Sequence, residues 1–293
     1  MLRGALPPMV TPFLADGAVD LRSFEANLEA YAGHDLGGYL VLGSNGETPY
    51  LEEDEKLALV RAARRGAGRR LLLAGTGLES TRATVAFTRR AAEAGADAVL
   101  VLNPFYYRGQ MAADALRRHY ETVADAAPVP VLLYSVPAFT GLPVPPAVAL
   151  ALAAHPRIAG MKDSSGDVAA LARVTAKAPP SFAVACGSGP VFYPALCVGA
   201  SAGVLAVACC APRVAAALFS AFTEGDHSRA RRIQAALGPL AVAVTTTYGV
   251  AGLKLAMDLA GFRGGSVRAP LLPAPPAARA EIADLLAAAE AAV

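Results

Sequence analysis

Ile158-Ala159-Gly160-Met161-Lys162-Asp163-Ser164 (residues 158–164) is an apolar run that stops at a lysine. An apolar run of this length predicts a strand buried on both faces, as in a parallel sheet covered by helices. Working outward, the same kind of run recurs at Ala5–Val10, Gly38–Leu42, Arg70–Ala74, Ala98–Leu102, Pro130–Ser135, Phe182–Cys186 and Gly203–Val207. Amphipathic stretches such as Leu51–Arg65, Ser80–Ala94 and Ala112–Ala126 lie between them. Asp54, Thr81 and Asp114 stand near their starts, and Gly95 closes the second. Strands alternating with helices predict parallel pairing with crossover helices. Eight such units predict an α/β fold, a (β/α)8 TIM barrel, with an open doubly wound sheet as the competing arrangement. After Glu224 the strand signals stop, and His227–Leu237, Val250–Leu259 and Pro276–Ala292 carry helical patterns. The expected division is a catalytic barrel over residues 1–224 and a C-terminal helical appendage over 225–293.

Composition narrows the function classes. The 293 residues are 55% hydrophobic with a formal net charge of only +2, and no basic block is present. A large core is expected, and the electrostatic footprint of nucleic-acid binding is missing. The cysteines Cys186, Cys197, Cys209 and Cys210 form no C-x-x-C pair, and His34, His119, His155 and His227 match no zinc spacing. No metal site is therefore expected, and the thiols suit a reducing compartment. Ala178–Pro212 and Ile233–Leu253 lack charge, but prolines and glycines interrupt both, so neither is expected to span a membrane. Pro7, Pro8 and Pro12 break any signal-peptide layout, and a cytoplasmic location is expected.

In a barrel the chemistry sits at the C-terminal ends of the strands. The residues after each run are Thr11, Gly43–Glu47, Gly75–Gly77, Asn103–Tyr107, Tyr134–Pro137, Lys162–Ser164, Gly187–Gly189 and Leu205–Ala206. They make a ring of hydroxyls and small residues around one lysine, without a carboxylate pair or histidine dyad. Of the other lysines, Lys56 lies in a charged helix and Lys177 in a polar loop, both suited to the surface. Lys254 is expected to serve packing or an assembly contact. Burial disfavours an ammonium, so Lys162 at a strand end suits a nucleophilic amine. The competing assignment is an ion pair with Asp163. Tyr134 and Tyr106, after neighbouring strands, can shuttle protons; the competing role is rim packing. Gly43-Ser44-Asn45-Gly46-Glu47 can turn backbone N–H groups inward to hold a small carboxylate, although a plain glycine-rich turn has the same composition. Gly75-Thr76-Gly77 lacks the third glycine of a dinucleotide fingerprint.

Taken together, Gly43–Glu47, Tyr134-Ser135-Val136-Pro137 with Thr140-Gly141, and Gly160–Ser164 resemble the dihydrodipicolinate synthase/N-acetylneuraminate lyase family in order and spacing over nearly the whole chain. The resemblance implies a TIM barrel and a Schiff base between Lys162 and the ketone of pyruvate or another 2-oxo acid. It implies a carboxylate held on the N–H groups of Ser44 and Asn45, proton transfer by Tyr134, and a relay through Ser44 and Tyr106. Tyr106 would come from a neighbouring subunit, with Tyr107 as the alternative, in a homotetramer built as a dimer of dimers. The imine is the electron sink, so no cofactor is expected. Ser164, Gly187, Leu205 and Phe139 complete the expected substrate contacts.

The synthase branch carries an arginine before the Thr-Gly, where this chain has Phe139. A phenyl ring cannot form a bidentate carboxylate pair, although Arg108 is at hand on another loop. Gly43–Pro49, Leu71–Ala74 with Glu79-Ser80-Thr81, Tyr106-Tyr107-Arg108-Gly109, Leu133–Pro137 and Gly160–Ser164 with Gly166-Asp167 resemble 4-hydroxy-2-oxoglutarate aldolase more closely. That resemblance implies cleavage to pyruvate and glyoxylate, with Ser44, Asn45 and Ser164 on the distal carboxylate or hydroxyl. The alternatives are condensation of pyruvate with aspartate semialdehyde, or cleavage of a 2-keto-3-deoxy sugar acid. Two rivals from other classes rank lower. A silent binding barrel has no use for a desolvated lysine, and a phosphate-binding isomerase would need glycines in the apolar turn Leu205–Ala208.

Overall fold

Both faces of the apolar runs are buried in the computed structural model, which describes residues 2–293, one face inside the sheet and the other under helices. Among these residues the order is β1 (Gly4–Leu6), α1 (Leu21–Tyr31), β2 (Gly38–Val41), α2 (Glu53–Ala67), β3 (Leu71–Gly75), α3 (Thr81–Glu93), β4 (Ala98–Leu102) and α4 (Ala113–Ala126). There follow β5 (Val131–Ser135), α5 (Pro137–Thr140), α6 (Pro146–Leu152), β6 (Ile158–Asp163), α7 (Val168–Thr175), β7 (Ala183–Cys186), α8 (Phe192–Cys197), β8 (Ala202–Val204) and α9 (Pro212–Thr223). Three more helices, α10 (His227–Val242), α11 (Gly249–Leu259) and α12 (Ala278–Glu290), come after the last unit. The strands pair in parallel in the order β1-β8-β7-β6-β5-β4-β3-β2. The circuit closes where the Leu40 N–H donates to the Pro7 carbonyl (3.2 Å) and the Met9 N–H to the Leu40 carbonyl (2.8 Å). The fold is thus the expected barrel, not an open sheet.

The two sides of each strand face different cores, because side chains alternate along a strand. Leu6, Leu40, Leu73, Leu100, Leu132, Tyr134, Ala185 and Val204 pack together in the barrel interior. Val41, Leu72, Val101, Leu133, Met161 and Val184 join the layer between barrel and helices. Burying each large side chain of this kind is worth roughly 1.5–3 kcal/mol. The end strands are shorter than their apolar runs. Pro7 and Pro8 remove donors just after β1, and β8 gives way to a 3-10 turn at Ala206–Cys209.

Helix starts follow local chemistry. Asp20, Ser80, Asp167 and Asp226 accept N–H groups of the first turns of α1, α3, α7 and α10. Glu52 and Glu55 form a reciprocal cap on α2. One expectation is corrected: Gly238 and Pro239 do not break the segment they sit in, and α10 runs through both to Val242. A π-turn, Ala243–Thr247, then separates it from α11. No helix among the described residues is long and apolar enough to cross a membrane. The segment after α11 returns to the first βα loops, where Ser266 bridges to Phe13 and Arg268 pairs with Glu55 at 2.6 Å.

Candidate active site

Register brings the central residues side by side. Leu102 pairs with Tyr134, Tyr134 with Lys162, and Lys162 with Ala185, so one rung of β4–β7 carries the lysine and the phenol. Lys162 is 4% exposed, and its Nζ stands 4.3 Å from the centre of the Tyr134 ring. The Tyr134 hydroxyl lies 3.2 Å from Ser44 Oγ, delivered by the loop after β2. Lys162, Tyr134 and Ser44 are therefore brought together by three strands. Asp163 faces elsewhere: its Oδ1 accepts the Ser165 N–H at 2.9 Å and the Ser165 hydroxyl. The Lys162–Asp163 ion pair weighed from sequence is absent among the described residues.

The strand after β6 leaves room for the lysine. A Cβ built on Gly187 would overlap Ser164 Oγ and lie 2.8 Å from Lys162 Cε. Gly187 and Ser164 thus flank the lysine. Cys186 is no rival nucleophile, since burial pushes its thiol up to about 12.

The loop Gly43–Glu47 is bracketed by backbone strain. Leu42 (φ 59) and Glu47 (φ 53) are the non-glycine residues with positive φ among those described. Such conformations cost roughly 1–3 kcal/mol each and cluster at functional sites. Within the loop the Gly46 N–H donates to the Gly43 carbonyl (3.0 Å) and the Glu47 N–H to the Ser44 carbonyl (3.1 Å). Thr11 Oγ1 donates to the Gly46 carbonyl at 2.7 Å, and Thr48 Oγ1 to the Gly43 carbonyl at 2.9 Å. The N–H groups of Ser44 and Asn45 take no part in this scheme.

Other expected residues lie apart. Tyr106 is 74% exposed and packs edge-on against Tyr107 at 5.0 Å, with its N–H donated to Glu79 Oε2 (2.9 Å). Within one chain no hydrogen bond links it to Ser44 or Tyr134. Phe139, on α5, is 68% exposed at the rim. Arg108 reaches the same rim: a Cβ on Gly141 would sit 2.8 Å from its Nη1. Leu205 is a correction. Its side chain belongs to the outer layer near Phe192, and its carbonyl accepts the Ala208 N–H at 3.0 Å. Alternation after Val204, which faces inward, turns it away.

Of the two roles expected for Lys254, the structure favours packing over an assembly contact: it is 2% exposed and makes an ion pair with Glu47 at 2.5 Å. No local pattern signals this partnership, because its members are far apart along the chain and meet only in the folded molecule.

Residues 1–289 match the dihydrodipicolinate synthetase family. The chain belongs to that family. It is 34% identical over 283 residues to a 4-hydroxy-tetrahydrodipicolinate synthase of Exiguobacterium, with 96% of each chain covered. It is 38% identical to one of Kineococcus radiotolerans, covering 96% of this chain and 91% of that one. Among solved structures, the Escherichia coli K12 prophage protein YagE, of the same family and in complex with pyruvate, superposes with a TM-score of 0.92 at 31% identity, with 99% of each chain covered. Members of the dihydrodipicolinate synthetase family are pyruvate-dependent class I lyases or aldolases, and this chain is an enzyme of that class. Neither curated relative carries the name of the 4-hydroxy-2-oxoglutarate aldolase that the local motifs favour.

Proposed function

We propose that this enzyme makes or breaks the carbon–carbon bond beyond the carbonyl of pyruvate through an imine on Lys162. The observation that carries this is one buried lysine against the Tyr134 ring, with Ser44 Oγ at the Tyr134 hydroxyl. In the proposed route the neutral Lys162 amine attacks C2 of the 2-oxo acid, and water leaves as Tyr134 shuttles the protons. The protonated imine draws electrons from C3. In the cleavage direction the C3–C4 bond breaks, the C4 hydroxyl gives up its proton, and an aldehyde departs. The resulting enamine is protonated at C3, and water releases pyruvate from Lys162. The imine is itself the electron sink, so the route calls on no bound cofactor. Ser44 and Asn45 N–H groups hold the carboxylate beside it.

For the bond cleaved, the reading put first is 4-hydroxy-2-oxoglutarate to pyruvate and glyoxylate. The local motifs support it, and Phe139 counts against the synthase reaction, since the arginine of that branch is missing there; Phe139 departs from the aldolase pattern as well, where a small polar residue is usual, which leaves room for a larger aldehyde. The names of the relatives support condensation with aspartate semialdehyde instead, and the Arg108 guanidinium beside Gly141 would then serve that substrate's carboxylate. Tyr106 completes the hydroxyl relay from a second copy of the chain in a homotetramer. Borohydride with pyruvate is expected to fix a covalent mass on Lys162; no adduct, or one on Lys254 alone, refutes the imine. Pyruvate release from 4-hydroxy-2-oxoglutarate, set beside 2-keto-3-deoxygluconate and aspartate semialdehyde, decides the partner.

A further inference from the structure

A second buried lysine stands outside this chemistry. Lys254 Nζ donates to the Thr11 carbonyl (2.8 Å) and the Ser266 carbonyl (2.5 Å) and meets Glu47 Oε1 at 2.5 Å. Two of the three donors of the ammonium are taken by carbonyls, and the Glu47 carboxylate stands beside it as counter-charge, its Oε1 without a hydrogen bond. Burial lowers the proton affinity of Lys254, and the Glu47 charge opposes that effect. Glu47 is buried too, and its Oε2 accepts the Arg268 N–H at 2.9 Å. The pair therefore ties α11 and the segment after it to the end of the Gly43–Glu47 loop.

That loop needs such a tie. Glu47 is held in the left-handed region, and a non-glycine residue stays there only when its surroundings over-determine it. Thr11 supplies a second link, since its carbonyl takes the Lys254 bond while its hydroxyl donates to the Gly46 carbonyl. A buried ion pair is weak evidence for stability, because apolar residues of similar size often serve as well. Its position points elsewhere: the Glu47 N–H closes the turn on the Ser44 carbonyl, and Ser44 Oγ meets Tyr134.

We propose that Glu47 and Lys254 are positioning residues: their ion pair fixes the loop so that Ser44 stands at Tyr134 and the Ser44 and Asn45 N–H groups face the substrate carboxylate. The inference rests on the function proposed above. Glu47→Gln removes the charge, keeps the shape and leaves Lys254 its two carbonyls. It is expected to lower kcat/KM about 10–100-fold, with part of the loss in KM for the 2-oxo acid. In a Ser44→Ala background the kcat part of this loss is expected to shrink below about 3-fold, because the hydroxyl it positions is gone, while the KM part, carried by the Ser44 and Asn45 N–H groups, remains. A purely stabilising pair would instead leave kcat and KM of the folded variant at wild-type values, or add its full cost in both backgrounds; either result overturns the proposal. Should Glu47→Gln not fold, Thr11→Val keeps the ion pair and removes the hydroxyl bond to Gly46. Its loss is expected to be smaller and likewise absorbed by Ser44→Ala, and full additivity there overturns the coupling of this loop to Ser44. Borohydride trapping on the wild type separates the two levels. An adduct on Lys162 with additive variants sinks the positioning role alone, whereas no adduct sinks the function and the positioning role with it.

Discussion

Lys162 works through its neighbours. A lysine at a strand end inside a barrel here faces an aromatic ring and a glycine, not a carboxylate. Lys162→Ala is expected to abolish turnover with unchanged circular dichroism; residual turnover at the wild-type rate would remove it from the chemistry. Tyr134→Phe keeps the ring against the lysine and loses the proton carrier, so kcat should fall roughly 10²–10⁴-fold. Gly187→Ala places a methyl where Ser164 Oγ and Lys162 Cε now lie. Displacing reacting groups by about 1 Å can cost about 10²-fold, and kcat of this variant should fall on that scale while the fold survives. Lys162, Tyr134 and Ser44 were legible in sequence because each follows an apolar run. Leu205 was misplaced by the same rule, which counts residues past a run without fixing the side they face.

At the scale of elements, α3 and α4 enclose a titratable group that the site does not use. His119 on α4 is buried, with Nδ1 at 2.8 Å from Thr81 Oγ1 at the start of α3 and Nε2 without a partner. Burial depresses its pKa to about 4, from an ordinary 6.5. Between these values the unfolded chain binds more protons than the folded one. The stability tied to neutral His119 is thus fully present above about pH 6.5 and is lost as pH falls toward 4, by up to ~3 kcal/mol. Urea unfolding of His119→Asn should show a smaller loss over that window than the wild type; parallel pH profiles would contradict this. The boundaries of α2, α3 and α4 were legible to within about two residues, because capping chemistry and helical periodicity are local. The extent of α10 was not, since packing against α9 and α12 carries it through Gly238 and Pro239.

For the whole molecule, Tyr106 and Tyr107 are exposed at the barrel rim, and the proposed function has a second copy bring its Tyr106 to the relay. Sedimentation velocity paired with activity on dilution should show turnover falling as the assembly dissociates, and Tyr106→Phe should lower kcat in the intact assembly. Full activity in a strictly monomeric form would refute a shared site. The segment after α11 acts on the same end of the barrel. Arg268 bonds the Tyr50 and Gly17 carbonyls as well as Glu55, so the chain's last part braces the first βα loops.

The sequence by itself determined the alternation of strands and helices, the strand-end ring and the lysine at its centre, because apolar runs, capping residues and their order are written locally along the chain; the barrel rather than an open sheet followed from the family resemblance. Tertiary structure alone decided which side chains share a rung, which way Leu205 turns, and that Lys254 meets Glu47. Those outcomes depend on strand register and on closure of the barrel, which bring distant segments within hydrogen-bonding range, and no local pattern encodes a partner so far away in the chain.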